Sequence, residues 1–345
     1  MAHKMKYDLL VKDGYVVDPV NKVNGVADVA VIEGKIAAVE PDLDWAVAKK
    51  VVSAEGLLVI PGVVDSHVHA ARPQARGAGY RMLVKAGVTT AVDFEGPVES
   101  VTDEIGDYGC GLNVAILEGI RPGFGISRKD APHDEVAQKV GSALDKGAIG
   151  VKLLGGHYPL TPDTTADVID TAAREGAYVA FHAGSTDTGS NILGLEEAIQ
   201  LSAGNPLHLA HINAYCRGLV EDPLRELSRA MKALKNASNI VSESHLAPLN
   251  GCSGHIGEDL LPESNVTRNC LRKFGCPVSR EGLEKAILEG KAAVYAPVGG
   301  EMCYLWREKA RERWLEAETR VGVAFAVNLR SSALVCATEK KDSNT

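Results

Sequence analysis

No apolar run in the chain approaches the roughly 18 to 20 residues needed to span a bilayer, and Met1 to Lys6 lacks the apolar stretch of a signal peptide. Neither a membrane anchor nor export is expected, which places the chain in the cytoplasm. CxxC pairs are absent among the seven cysteines (Cys110, Cys216, Cys252, Cys270, Cys276, Cys303, Cys336), an odd number that fits reduced thiols and not a disulfide framework. A basic stripe is missing as well. The formal net charge of -8 comes from interspersed acids and bases, so the attraction that nucleic-acid binding needs is not there. Neither a GxGxxG turn nor a Walker loop occurs, which argues against a doubly wound nucleotide-binding sheet. These absences leave a small molecule as the expected partner.

What is present reads as an ordinary globular chain: 345 residues, 45% hydrophobic and 24% charged, enough for one large domain and a small one. Residues 1–60 carry short alternating apolar segments, Tyr7 to Lys12, Asp28 to Glu33 and Leu57 to Ile60, divided by turn signals at Asp13-Gly14 and Glu33-Gly34. They predict a small β lobe. After Pro61-Gly62 the pattern changes, over 61–345, to apolar strands alternating with helical stretches. Strands are predicted at Val63 to His69, Thr89 to Glu95, Leu112 to Glu118, Ile149 to Leu154, Tyr178 to His182, Leu207 to His211 and Ile240 to His245. Helices fall between them, for example at Thr164 to Glu175, Leu195 to Ser202 and Pro223 to Lys235, as crossovers between parallel strands require. The class is α/β and the predicted architecture a (β/α)8 TIM-like barrel.

His67 and His69 stand two apart at the end of an apolar strand, so both imidazoles project to one side, at the rim where barrels build active sites. Such a pair also arises by chance among ten histidines. His182 and His211, at two further strand ends on the same rim, make chance a poor account and suggest a metal site. Lys152 sits in the apolar run Gly150 to Leu154, where an ammonium is costly to bury unless it reaches the rim or meets an acid. His208, three residues before His211, is expected on the opposite side of its strand, packed or hydrogen-bonded in the barrel wall. His157 and Tyr158 are candidate substrate contacts. Asp93, Glu95 and Glu118 read as caps of the following helices, Ser242 to His245 as too unspecific to assign, and Gly155-Gly156 as an ordinary bend.

The run Val63-Val64-Asp65-Ser66-His67-Val68-His69, followed in order by Lys152, His182 and His211, resembles the amidohydrolase superfamily, nearest to its dihydroorotase and hydantoinase branch. The resemblance covers residues 7 to about 250, including the amino-terminal lobe, which implies a small β-sandwich. It implies that His67 and His69 bind one metal, that a carboxylated Lys152 bridges to a second, and that His182 and His211 bind the second. The cofactor is then a divalent metal, two Zn2+ per subunit, and the reaction is hydrolysis of an amide or cyclic amide C–N bond by a metal-bridged hydroxide. A homo-oligomer is expected. Two alternatives stand beside this reading: an N-acyl amino acid deacylase of the same superfamily, and a non-catalytic oligomeric scaffold.

The chain departs from the family pattern in one place. The aspartate that the resemblance implies on an eighth strand, as general base and acid, cannot be identified. After His245 the sequence reads as a long polar stretch from Gly251 to Pro277, then helices at Arg280 to Lys291 and Trp306 to Arg320. Only Val323 to Leu329 and Ser332 to Thr338 look strand-like after that, and Asp342 lies in a polar tail. A truncated barrel with reduced or no activity is the expectation.

Overall fold

The computed structural model describes residues 6–71, 75–94, 96–244 and 249–326. Glu95, His245, Cys336, Asp342 and the strand expected at Ser332 to Thr338 lie outside the described residues. The chain divides into two units, Met1–Val63 and Val64–Thr345.

In the first unit, β1 (Leu9–Asp18), β2 (Val23–Ile32), β3 (Lys35–Glu40), β4 (Val51–Ser53) and β5 (Leu58–Val59) form one mixed sheet in the order β3-β2-β1-β4, with β5 also paired to β1. Among the described residues it is a single layer, not the two layers of a sandwich. Glu33 and Gly34 make a two-residue hairpin turn, both with positive φ (50° and 74°), as the twist of the flanking strands demands. Asp13-Gly14 is no turn. It is a bulge inside β1, where the register against β2 slips. The buried carboxylate of Asp28 holds the bulge by accepting from Asp13 N at 2.8 Å, Lys12 Nζ at 2.9 Å and Leu43 N at 2.8 Å.

The second unit opens with β6 (Val63–Val68) and continues α1 (Ala78–Lys85), β7 (Val88–Asp93), α2 (Val98–Tyr108), β8 (Asn113–Pro122), β9 (Gly125–Ile126) and α3 (His133–Asp145). Then come β10 (Gly150–Leu154), α4 (Pro162–Arg174), β11 (Tyr178–His182), α5 (Ile192–Leu201), β12 (Leu207–Leu209), α6 (Pro223–Lys235) and β13 (Ile240–Ser242). The strands lie in the order β6-β7-β8-β10-β11-β12-β13, and every register given from β7 to β13 is parallel. This is the strand-helix alternation of a TIM-like barrel; the two-residue β9 pairs with β8 off this path, and an eighth strand in the barrel order is not among the described residues. Helix starts are signalled locally: Thr161 caps α4 and Asp222 caps α6, each followed by a proline in the first turn.

Strand periodicity sorts the side chains. Val151 and Leu153 of β10 pack with Val168 and Ile169 of α4 in the layer between sheet and helices. Lys152, between them, points the other way, over Phe94, which clusters with Leu117 and Ala180.

Beyond the barrel strands the chain builds β14 (Leu249–Ser253), α7 (Asn265–Lys273), α8 (Arg280–Leu288), β15 (Ala292–Val298), β16 (Glu301–Leu305), α9 (Arg307–Glu316) and β17 (Gly322–Ala326). The strands form an antiparallel sheet, β14-β17-β15-β16, over a separate core that includes Leu271, Leu283, Ile287, Trp314 and Phe325. The polar stretch expected from Gly251 thus contains a strand end and a helix, and β15 and β16 were not expected at all. Pro297 disguises β15, yet it lies past the residues that pair with β17, so its missing N–H breaks no bond there. Gly299-Gly300 is the hairpin signal that marks this pair. No helix among the described residues is long and apolar enough to cross a membrane.

Candidate metal centre

His67 is the penultimate residue of β6, and His69 follows the strand's last residue, Val68. Their Nε2 atoms stand 3.3 Å apart. Two nitrogen ligands at about 2.0 to 2.1 Å from one tetrahedral ion are themselves separated by about 3.3 Å, so the pair is spaced as ligands of a single cation. The ring of His67 is fixed from two sides: it stacks on Phe94 with centroids 4.0 Å apart, and its Nδ1 lies 2.5 Å from Glu243 Oε1. The second carboxylate oxygen of Glu243 meets His208 Nε2 at 2.6 Å, and His208 Nδ1 meets the Tyr178 hydroxyl at 2.8 Å. Burial opposes ionisation of Glu243, but hydrogen bonds from His208 and His67 hold its carboxyl well below the usual range. An anionic Glu243 accepts from His67 Nδ1–H, which leaves the Nε2 lone pair facing His69.

His182 ends β11. Its ring lies 4.4 Å from that of His211 and 5.3 Å from that of His157, centroid to centroid. Its Nε2 meets Ser190 Oγ at 2.9 Å. Its seat depends on Gly156, where an added Cβ would fall 2.0 Å from His182 Nε2. The glycine pair after β10 is therefore more than the ordinary bend the sequence suggested. His211 is not on a strand: β12 stops at Leu209, and His211 takes a left-handed conformation (φ 40°) ahead of a short 3-10 turn, Ile212–Tyr215. His208 faces inward by strand alternation, opposite Leu207 and Leu209, 6.2 Å from the ring of His67, and the chain's departure from extended geometry brings His211 to the same side, so the expectation that His208 faces away is not met. Tyr215 clamps the corner by donating to Ala210 O and accepting from Ala183 N, both at 2.8 Å.

Lys152 is 1% exposed, and its Nζ has no hydrogen-bond partner among the described residues. Burial pulls its pKa down to about 7, against the charge of Glu243. Burial likewise pushes His67 down to about 3 and His157 to about 4, and holds His182 and His211 well below the ordinary histidine value. Near neutral pH His67, His157, His182 and His211 are thus neutral donors and a share of Lys152 is free amine.

All five predicted ligands, with His157 and Tyr158, line one cavity of about 970 Å³. Its remaining wall comes largely from β14, α7 and β15 to β17. His157 Nδ1 meets Ser264 Oγ at 3.0 Å, and Tyr158 lies under the Arg121 guanidinium, 4.7 Å from the ring centre. Among the described residues no three His, Cys, Asp or Glu side chains converge on one point to hold an ion. The donors stand instead as two imidazole pairs, His67 with His69 and His182 with His211, with Lys152 close enough that its charge acts on His67, His182 and His211. Spacing of the first pair, the neutrality of His67, His182 and His211 and an orphaned amine fit a divalent metal.

The other polar candidates act locally. Asp93 accepts from Ala71 N at 3.0 Å and from the Tyr80 hydroxyl at 2.7 Å. Glu118 accepts from Val98 N at the start of α2 and from Lys139 Nζ. Glu243 is the residue that sequence reading passed over.

The strand order defines the class as a TIM-like barrel, with histidines at the strand ends along one rim. No family model matches the chain. A stretch of 91 residues, 25% of the chain, is 41% identical to a dihydroorotase of Elusimicrobium minutum, of which it covers 20%. Over 95 residues, 26% of the chain, it is 39% identical to an allantoinase of Escherichia coli, again covering 20% of that protein. The chain thus matches about a fifth of the length of these curated relatives. Among solved structures, N-acyl-D-glutamate deacylase from Bordetella bronchiseptica, complexed with zinc and a phosphonate inhibitor, superposes with a TM-score of 0.67 at 16% identity over 96% of this chain and 74% of that one. L-hydantoinase from Arthrobacter aurescens superposes with a TM-score of 0.51 at 18% identity, covering 83% and 67%. The resemblance read from the sequence, to the cyclic amidohydrolase branch, is borne out by these relatives.

Proposed function

We propose that this chain is a metal-dependent amidohydrolase that cleaves the C–N bond of a small amide or cyclic amide. The observation that carries the reading is the His67–His69 pair, with Nε2 atoms 3.3 Å apart, in one cavity with a buried Lys152 amine that has no hydrogen-bond partner. His67 and His69 would hold one divalent ion and His182 and His211 a second, with zinc in both places. Metal in such a site polarises the substrate carbonyl and lowers the pKa of nearby water. The free amine of Lys152 would add CO2 to give a carbamate, releasing one proton, and the carbamate's anionic oxygens would serve as metal ligands.

The chain's own groups have separate tasks. Glu243 fixes the tautomer of His67, and His208 with Tyr178 holds Glu243. Gly156 and Ser190 seat His182. His157 and Tyr158 face the cavity as substrate contacts. Residues 1–60 are proposed to form one domain and 61–345 the other, and the protein to work as a cytoplasmic homo-oligomer.

Metal analysis of the purified protein tests the reading. About two divalent ions per chain is the expected result, and release of ammonia or amine from hydantoins, dihydropyrimidines or N-acyl amino acids, even at a reduced rate, would identify the substrate. A well-folded oligomer that takes up no metal would instead mark a non-catalytic scaffold.

A further inference from the structure

Two thiols of the cavity wall take no part in the site described above. Cys252 lies on β14 and Cys270 on α7, and both line the cavity. The helix packs on the strand, and Thr267 Oγ1 fixes their register by donating to Ser253 O at 2.6 Å. Ser253 is the neighbour of Cys252, and Cys270 stands three residues on from Thr267, one helical turn along the same face. That bond therefore brings the two sulfurs together. Cys252 is buried in the core of this sheet, Cys270 packs half-buried against that core, and the Cys252 thiol donates to the Cys270 sulfur. A cation stands beside the pair: Arg217 Nη2 donates at 3.1 Å to Oδ1 of Asn250, two residues before Cys252 on the same face of β14. The hydrogen bond from Cys252, with the charges of Arg217 and Lys273, holds the Cys270 thiol below its ordinary value against burial. By contrast, burial pushes the Cys216 thiol up to about 12, and Cys110 donates its proton to Leu112 O.

We propose that Cys270 and Cys252 are a peroxide-sensitive modification site, Cys270 as the attacking sulfur and Cys252 as the resolving one, whose disulfide ties α7 to β14 in the cavity wall. The Cys270 thiolate attacks one peroxide oxygen and the O–O bond breaks. The departing hydroxide takes up the proton that Cys270 gave up, leaving a sulfenic acid and one water. The Cys252 sulfur then attacks that of Cys270, the S–O bond breaks, and the hydroxyl leaves with the Cys252 proton as a second water. The two sulfurs together lose two electrons and one peroxide gains them. This chemistry needs neither a metal nor an amide substrate, so it stands apart from the hydrolase reading.

Purified native protein is treated with a small molar excess of hydrogen peroxide at neutral pH, its thiols are counted, and its peptides are mapped without reduction. Two of the seven thiols should be lost, one linked pair of peptides should carry Cys252 and Cys270 with two hydrogens missing, and dithiothreitol should restore both thiols. In Cys252→Ser the sulfenic acid has no resolving partner, so dimedone should label Cys270 strongly in that variant and weakly in the native chain. Cys270→Ser should keep Cys252 reduced at the same dose. Thiol loss confined to other cysteines, a link between two chains, or a Cys252 that oxidises equally in Cys270→Ser would overturn the proposal. Peptide mapping of the native chain decides the matter if either variant does not fold.

Discussion

Replacing Glu243 by Gln asks whether His67 is held ready for a cation by its neighbours. In the native chain one carboxylate accepts from two rings, at 2.5 Å from His67 and 2.6 Å from His208. Gln keeps the shape but has one acceptor oxygen where the carboxylate has two. Its carbonyl still accepts from His67 Nδ1–H, but its amide then faces His208 Nε2. His208 must move its proton to Nδ1, and Tyr178 must turn from donor to acceptor. The network re-pairs with neutral bonds, each weaker than its charge-assisted counterpart by about 1 kcal/mol, so a stability loss of about 2 kcal/mol is expected and the fold survives. The larger consequence falls on the metal. Partners that orient a metal-binding imidazole are worth about 10- to 100-fold in affinity, or about 1.4 to 2.8 kcal/mol. Competition against a chromogenic chelator at neutral pH should therefore show Glu243→Gln binding its ion 10- to 100-fold more weakly. The double variant His67→Ala/Glu243→Gln should be no weaker than His67→Ala alone, because the second change then has nothing left to orient. Unchanged affinity in the single variant, or losses that simply add in the double one, would refute the reasoning.

Lys152→Met should remove a buried amine whose pKa is depressed to about 7, stabilising the metal-free chain at neutral pH by a few kcal/mol in urea unfolding while abolishing turnover. In the native protein, 13C-labelled bicarbonate should yield a carbamate resonance that Lys152→Met lacks. Acid should destabilise the metal-free chain: His157 titrates at about 4 when folded and near 6.5 when unfolded, so between those values the unfolded state binds the extra proton and stability falls as pH falls. His157→Gln should flatten the unfolding midpoint across that window by up to about 3 kcal/mol, and an unchanged slope would place the burial penalty elsewhere. Gly156→Ala should displace the His182 ring, since the new methyl would meet Nε2 at 2.0 Å, and a variant that keeps native metal stoichiometry would contradict that packing.

Much of the barrel was legible because its signals are local. Alternation put His67 and His69 on one side of a strand and Lys152 opposite Val151 and Leu153. Asp222-Pro223 announced α6, which runs over the predicted residues Pro223–Lys235. The later sheet escaped because Pro297 broke the pattern of β15, although Gly299-Gly300 carried a hairpin signal. Asp13-Gly14 shows the reverse error: a turn dipeptide became a bulge because the buried Asp28 carboxylate collects the backbone N–H of Asp13.

Local chemistry thus determined which residue types face inward at each strand end, since the two-residue period needs no distant partner. Tertiary packing decided everything that depends on who meets whom. Glu243, in a run of polar residues with no pattern, reaches His67 across 176 positions of sequence. His208 faces inward by the alternation of β12, between Leu207 and Leu209 of the outer layer, whereas His211 joins it on that side because the chain leaves β12 at Leu209. Such pairings are set by three-dimensional packing and the desolvation of charges, which no window of neighbouring residues encodes.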